Sequence, residues 1–291
     1  MVLGQFLVSV LPINAMDRFV RVLRIWALQL AALGWLGTST VAHAAGVNCG
    51  EKPIRLAFYE YGNLYYLDKQ QAQGIDKDVV DELIKRSGCR FAVQVMVRAR
   101  IWADLASGDL DMSVSGIQNP DRDKFAWFAH YLSMKNYAVV RTEVAGRAQT
   151  AASFMQQPRL QFGAVRSFKH GVEQDKWLDE LRAAQRVQDS ANAETLFKKL
   201  KEERVDALFS QPPVYRKYLQ DLGMHGQAVV QDWTPSEKGV QHGLILAKTH
   251  FSEPDARQWQ ALVTGMRSDG TLKRIYNRYL PANEAAALLD F

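Results

Sequence analysis

Little in this chain is arranged for covalent chemistry. The six His are scattered, and no Ser–His–Asp arrangement, metal-like His/Cys spacing or glycine-rich phosphate loop appears. The residues that stand out are suited to recognition. Arg122 lies between Asp121 and Asp123. A guanidinium presents parallel N–H donors that match a carboxylate, and a surface Arg between its flanking acids is the plainer alternative. A short stretch holds Tyr59, Glu60, Tyr61, Tyr65 and Tyr66 around Gly62 and Asn63. Tyrosines offer contact area at low entropy cost, although some of these rings will belong to the core. Glu60 has two readings, a partner for a ligand ammonium or an ion pair with Arg100.

Residues 54–58, 91–97 and 110–115 read as strands, and Val79, Val80, Leu83 and Ile84 are spaced for one face of a helix between the first two. A short helix with Ile101, Trp102 and Leu105 ends at Gly108. This strand–helix alternation predicts an α/β lobe with a parallel sheet. A second lobe is predicted over residues 140–236, with strands at 160–165, 186–188 and 206–209. Its helices are expected at 193–203 and 214–222, the latter after Pro212-Pro213. Residues 239–247 read as a strand able to rejoin the first sheet, and 255–279 as helical. The expected organisation is therefore lobe 1 over residues 45–139 plus 237–291 and lobe 2 over 140–236. No role is assigned to residues 282–291.

The first 44 residues hold one acid, Asp17, and three bases, Arg18, Arg21 and Arg24, ahead of an apolar run over residues 25–36 and an exit at Ala42-His43-Ala44. Basic head, short apolar core and small-x-small exit describe a signal peptide cleaved after Ala44. The run is shorter than the ~20 residues of a membrane-spanning helix. Met16, just before the basic head, is the expected true start. The 291 residues carry 36 Lys and Arg against 31 Asp and Glu, a net charge of +5. Loss of three Arg and one Asp with the leader lowers this to +3, with no basic block of the kind nucleic-acid binders use. Apolar residues at 47% and charged residues at 23% exclude wholesale disorder, and a mean hydropathy of −0.22 excludes a polytopic membrane protein. Cys49 and Cys89 each stand ahead of a predicted strand. In an oxidising compartment they form a disulfide if those strands are parallel neighbours; two unpaired buried thiols are the alternative.

Six motifs in order resemble the family 3 solute-binding proteins, periplasmic receptors of polar amino-acid ABC transporters. These are Gly74-Ile75-Asp76-x-Asp78, Leu105-x-x-Gly108-x-x-Asp111, the stretch from Asp111 to Gly116 with Arg122, Phe125 and Tyr131, Phe162-Gly163-Ala164-Val165, Arg204-Val205-Asp206-Ala207, and Asp269-Gly270-Thr271 with Ile275 and Tyr279. The resemblance covers essentially the whole chain after the leader. It implies a two-lobed periplasmic-binding-protein type II fold, each lobe a mainly parallel sheet flanked by helices, joined by two hinge strands. It also implies a monomer that closes on a small solute and delivers it to a membrane permease, without cofactor or metal.

The resemblance assigns the ligand carboxylate to Arg122, with Ser115, Gly116 and Gln118 at the strand end before it. It places an aromatic from Tyr59 or Tyr61, beside Glu60, against the ligand. In lobe 2 it assigns Ser167 as a donor at the start of a helix and Phe168 as cleft lining. Gln211 stands where amino-acid receptors carry an Asp for the α-ammonium. An amide cannot neutralise that charge, so the ligand class widens to organic acids and modified amino acids, or Glu60 supplies the charge. Trp102 reads as core, Arg98 and Arg100 as a solvated face, and Asp206 as structural. Two other readings share the scaffold: a cyclohexadienyl dehydratase-like enzyme, for which Glu60 and Glu173 are the candidate acids, and a sensing module that docks to a membrane receptor.

Overall fold

The computed structural model describes residues 46–291; the expected leader, its start at Met16 and its cleavage after Ala44 lie outside the described residues. Among the described residues no helix is long and apolar enough to cross a membrane.

The chain opens with β1 (Ile54–Phe58), whose Ile54, Leu56, Ala57 and Phe58 are buried. A hairpin of β2 (Tyr66–Asp68) and β3 (Gln71–Gln73) leads into α1 (Ile75–Ser87). Helix α1 buries Ile75, Val79, Val80 and Leu83, carries Asp76 and Asp78 in its first turn and Lys85 and Arg86 in its last, and stops at Gly88 with φ +69°. Those charges suit the helix dipole, and the left-handed stop favours glycine. Then come β4 (Phe91–Val95), α2 (Arg98–Ser107), β5 (Met112–Ile117) and β6 (Ala126–Met134). After β7 (Tyr137–Arg141) and two short helices, α3 (Thr142–Ala145) and α4 (Ala151–Met155), follow β8 (Phe162–Val165), α5 (Val172–Ala183), β9 (Val187–Ser190), α6 (Ala193–Lys201), β10 (Ala207–Ser210), α7 (Pro212–Asp221) and β11 (Ala228–Gln231). The chain closes with β12 (Val240–Ala247), α8 (Glu253–Ser268), α9 (Thr271–Tyr276) and α10 (Ala282–Ala287).

The strands form two five-stranded sheets, ordered β4-β1-β5-β12-β6 and β11-β7-β10-β8-β9. In each, two pairings are parallel and two are antiparallel. The antiparallel half comes from the strands next to the crossings, so each sheet is mixed. Strand β12 returns to the first sheet, as its apolar run predicts. The chain crosses between sheets twice, at Lys135-Asn136 between two strands and over residues 232–239, which are irregular. The second crossing is thus a loop where a hinge strand was expected. The long helix expected at 255–279 is two, α8 and α9, separated at Asp269-Gly270, where Gly270 has φ +76°. Strand β6 and helix α10 lie in stretches that the sequence reading left unassigned.

Parallel pairing of β1 with β4 sets Ile54 beside Phe91. The residues ahead of both strands therefore meet, and Cys49 and Cys89 form a disulfide with Cα atoms 5.2 Å apart. No described cysteine is free. The second lobe is centred on an aromatic cluster in which Phe162 and Trp177 lie 5.0 Å apart edge to face, and Phe154 and Trp233 5.6 Å apart.

Candidate functional site

The C-terminal ends of β1 and β5 in the first sheet face those of β8 and β10 in the second, the usual place for a ligand in open α/β sheets. Tyr59, Glu60 and Tyr61 leave β1, Gly116 is the penultimate residue of β5, Ser167 and Phe168 follow β8, and Gln211 follows β10. A cavity of about 290 Å³ opens here, lined by Tyr59, Tyr61, Arg98, Phe168 and Asn192.

Hydrogen bonds cross the gap. The Tyr61 hydroxyl donates to Gln211 Oε1 at 2.6 Å, Gln211 Nε2 donates to Asn136 Oδ1 at 2.7 Å, and Asn136 Nδ2 donates to the His170 carbonyl at 2.6 Å. Gln211 is 0% exposed with both ends of its amide occupied. It joins the first lobe, the crossing at Asn136 and the second lobe in one chain of bonds. Phe168 is buried against Tyr61 at 5.7 Å between rings.

Beside it, the Asn63 N–H donates to the Pro213 carbonyl at 2.8 Å and the Gly62 N–H to the Tyr218 hydroxyl at 3.3 Å. Gly62 has φ +55°, and a Cβ there would stand 2.5 Å from Val214 Cα and 2.7 Å from the Pro213 oxygen. Any side chain would prise the loop from the start of α7. Gly62→Ala is therefore expected to leave a folded protein, since separating the lobes relieves the clash. Affinity for any ligand held between the lobes should fall at least about tenfold, the equivalent of about 1.4 kcal/mol. Calorimetric titration beside a thermal melt checks both parts.

Arg122 is 8% exposed. Its Cζ lies 3.7 Å from the Trp102 ring centroid, Nη1 donates to the Ile117 carbonyl at 2.6 Å, and Nη2 reaches the Ser167 carbonyl across the gap at 3.5 Å. It is therefore not the surface Arg of the alternative reading, and no described carboxylate forms an ion pair with it; Asp121 is paired with Lys124. Burial first, and Arg98 second, bring its pKa down to about 10, which still leaves it charged at neutral pH. Trp102 is half-buried and forms the platform beneath this guanidinium.

Arg98 departs from its expected solvated face. It is 8% exposed, and Nη1 donates to the Tyr59 hydroxyl. Its Cζ lies 4.7 Å from the Tyr59 ring centroid and 5.0 Å from that of Phe168, while Nε and Nη2 have no partner. The sequence held a signal for this. Arg98, Ile101 and Leu105 are spaced by three and four, and all three are the buried positions of α2.

Asp76, 1% exposed in the first turn of α1, accepts from Tyr131 at 2.5 Å and from Ser115 Oγ at 2.8 Å. Burial raises its pKa to about 7 against the opposing effect of these hydroxyls and of Arg98. An unfolded Asp titrates near ~3.9. The folded state thus favours the protonated form, and the stability this group contributes is complete below pH ~4 and lost as pH rises through about 7. Urea midpoints are expected to fall between pH 5 and pH 8, with that component missing in Asp76→Asn.

Other predicted site residues are placed differently. Ser115, at φ +48°, turns its hydroxyl onto Asp76 and Tyr131. Gly116 is required by packing, since a Cβ would stand 2.3 Å from Ile245 Cγ1. Gln118 is exposed and donates to Asp123 at 2.8 Å, the behaviour of a loop cap. Ser167 is an exposed residue at φ +61° in a turn; the helix expected to begin there starts at Val172, after Gly171 at φ +131°. Glu60 is exposed on the rim, and Arg100 pairs with Asp104 at 3.2 Å instead of Glu60. Asp206 accepts from the Gln161 N–H at 2.8 Å and is structural, as expected. Asn136 and Tyr218 were not anticipated, because only the tertiary fold brings the crossing and α7 to the loop after β1.

The fold is shared with solved structures. An ancestral arginine-binding protein bound to arginine matches with TM-score 0.67 and 19% identity, covering 79% of this chain and 98% of that one. The arginine-, lysine-, histidine-binding protein ArtJ from the thermophilic bacterium Geobacillus stearothermophilus matches with TM-score 0.67 and 17% identity, covering 79% and 95%. The ancestral amino acid-binding protein AncCDT-1, a precursor of cyclohexadienyl dehydratase, matches with TM-score 0.65 and 21% identity, covering 79% and 96%. At these identities the likeness establishes the two-lobed fold. A search of curated proteins finds no match. The model of the bacterial extracellular solute-binding proteins, family 3, matches residues 58–282, most of the described chain, and the protein belongs to that family.

Proposed function

We propose that this protein is a periplasmic receptor that captures a small carboxylate-bearing solute between its lobes and delivers it to an ABC permease. In this reading residues 1–44 are a cleaved leader, lobe 1 comprises residues 45–139 plus 237–291, lobe 2 comprises 140–236, and the receptor works as a monomer. The observation that carries the reading is Arg122: a buried guanidinium, stacked on Trp102, that meets Ser167 of the opposite lobe and has no carboxylate partner. A ligand carboxylate supplies the missing acceptor and ties the lobes together, and binding energy spent between two bodies favours the closed state. Tyr59, Tyr61 and Phe168 provide apolar contact around it, and Gln211 holds the closed arrangement through Tyr61.

Binding fits the side chains better than catalysis. A dehydratase needs a shielded acid at the reacting hydroxyl. Glu60 is exposed on the rim, and Glu173 is exposed beside a different cavity lined by Gln118, Asn119 and Lys169. The test is a thermal-shift screen of the purified protein against amino acids, their deaminated analogues and small dicarboxylates, followed by membrane pull-down with the liganded protein. A saturable rise in melting temperature and recovery of a permease support the reading. Turnover of prephenate or arogenate, or recovery of a sensor kinase in place of a permease, contradicts it.

A further inference from the structure

Among the described residues no carboxylate forms an ion pair with the guanidinium of Arg98. It lies between the rings of Tyr59 from the first lobe and Phe168 from the second, and its one hydrogen bond is to the Tyr59 hydroxyl. Rings cover its faces, but Nε and Nη2 on its edge have no partner, and water does not reach them. Leaving such donors buried and unpaired is costly, the more so on a charged group. Arg98 and Arg122 also converge. Arg122 Nη2 reaches the carbonyl of Ser167, and Arg98 lies against the ring of the next residue, Phe168. Two buried cations from different elements of the first lobe thus meet one dipeptide of the second.

The neighbouring acids offset this charge only in part. Asp76 is committed to Ser115 and Tyr131, and its burial favours the protonated form. Asp175 accepts from the His170 N–H at 3.0 Å and pairs with Lys169. His242 is 1% exposed, and burial holds it neutral with a pKa near 3. Glu60 is out on the rim. An ammonium brought into this pocket meets no buried carboxylate on its wall: Gln211 Oε1 is a neutral acceptor already bonded to the Tyr61 hydroxyl, and Glu60 stands at the exposed rim of the cavity.

We infer that the captured solute is a small dianion of the dicarboxylate class without an α-ammonium group, and that Arg98 is the specificity-determining residue that takes its second carboxylate. The inference rests on the proposed solute-capture reading and narrows its ligand. With one carboxylate on Arg122 and the other on Arg98, both unpaired guanidiniums gain charge-assisted hydrogen bonds, and the Ser167-Phe168 turn closes over the pair.

The experiment is calorimetric titration of the purified protein with glutarate and succinate, with glutamate and aspartate as their α-amino counterparts, and with arginine and butyrate. Glutarate or succinate is expected to bind at least about 100-fold more tightly than its amino counterpart, the scale of burying a charged ammonium without a charged partner. Arg98→Gln should weaken dicarboxylate binding about 100-fold and leave butyrate, held by Arg122, within a few-fold. Arg98→Lys should recover part of the loss, which separates charge from folding. Tighter binding of glutamate or arginine than of glutarate overturns the dianion while leaving solute capture intact. Unchanged dicarboxylate affinity in a folded Arg98→Gln protein overturns the role of Arg98. Binding by none of these compounds overturns the capture reading and this inference together.

Discussion

Arg122→Ala is expected to remove detectable binding of the captured carboxylate, a loss of at least about 100-fold in affinity, while the protein stays folded. Hydrogen bonds to charged groups contribute about 1.5–3 kcal/mol each, and a guanidinium offers a carboxylate two of them in parallel. Folding should tolerate the change because Arg122 neutralises no acid in the fold. Its one close bond is to the Ile117 carbonyl at 2.6 Å, with the Trp102 ring against its face and the Ser167 carbonyl at 3.5 Å. Removing a buried unpaired cation also relieves the repulsion from Arg98 that helps to lower its own pKa. The ligand-free variant should therefore melt close to the parent, with the ligand-dependent rise in melting temperature gone. Arg122→Lys keeps the charge but loses the planar fork, and should retain only a weak shift. Equal ligand-dependent shifts in parent and Arg122→Ala would remove Arg122 from the site.

The second large effect concerns stability. Cys49 and Cys89 close a loop with a sequence separation of 40. Chain-entropy arguments give such a cross-link about 4 kcal/mol of stabilisation. Cys49→Ser combined with Cys89→Ser is expected to lower the melting temperature by roughly 8–16 °C, at the ~2–4 °C per kcal/mol of a domain this size. The bond ties the lead-in of β1 to the start of β4, the edge strand of the first sheet. The same strands present Tyr59 just after β1 and Arg98 at the start of α2. Loosening their origins should therefore weaken ligand binding as well as lower the melting point. Calorimetric melts with and without reductant provide the check, and a change of less than a few degrees would contradict the estimate.

Much of the fold was legible because its signals are local. The apolar runs at β1, β5, β8 and β10 mark buried strands, and the spacing of Val79, Val80 and Leu83 marks the inner face of α1. The cysteines preceding β1 and β4 could be paired once those strands were read as parallel. Strand β6 was missed because Ala126–Met134 carries His130 and three large aromatics, Trp127, Phe128 and Tyr131, with irregular burial and no clean alternation. The helix read across residues 255–279 ignored a glycine whose φ of +76° separates two helices.

The site was legible in outline and misread in detail. Arg122, Tyr59, Tyr61, Phe168 and Gln211 do converge, because strand ends in this topology face one another. Ser115 and Gln118 are close in sequence but turn to Asp76 and Asp123. Side-chain direction at a strand end depends on backbone angles that residue type does not reveal, such as the φ of +48° at Ser115. Arg98 reads as a solvated face like Arg100, yet its spacing from Ile101 and Leu105 puts it on the buried side of α2. Which rings cover it, one from each lobe, is a tertiary arrangement that the spacing does not reveal.

The central claim is capture of a carboxylate between the lobes. Its most direct test is hydrogen exchange of the purified protein, free and saturated with the tightest-binding compound of the carboxylate panel. The account predicts slowed exchange in two segments together, the loop over residues 59–63 from the first lobe and the turn over residues 166–170 from the second, with both effects lost in Arg122→Ala. Protection confined to one lobe, or located away from both segments, would contradict it.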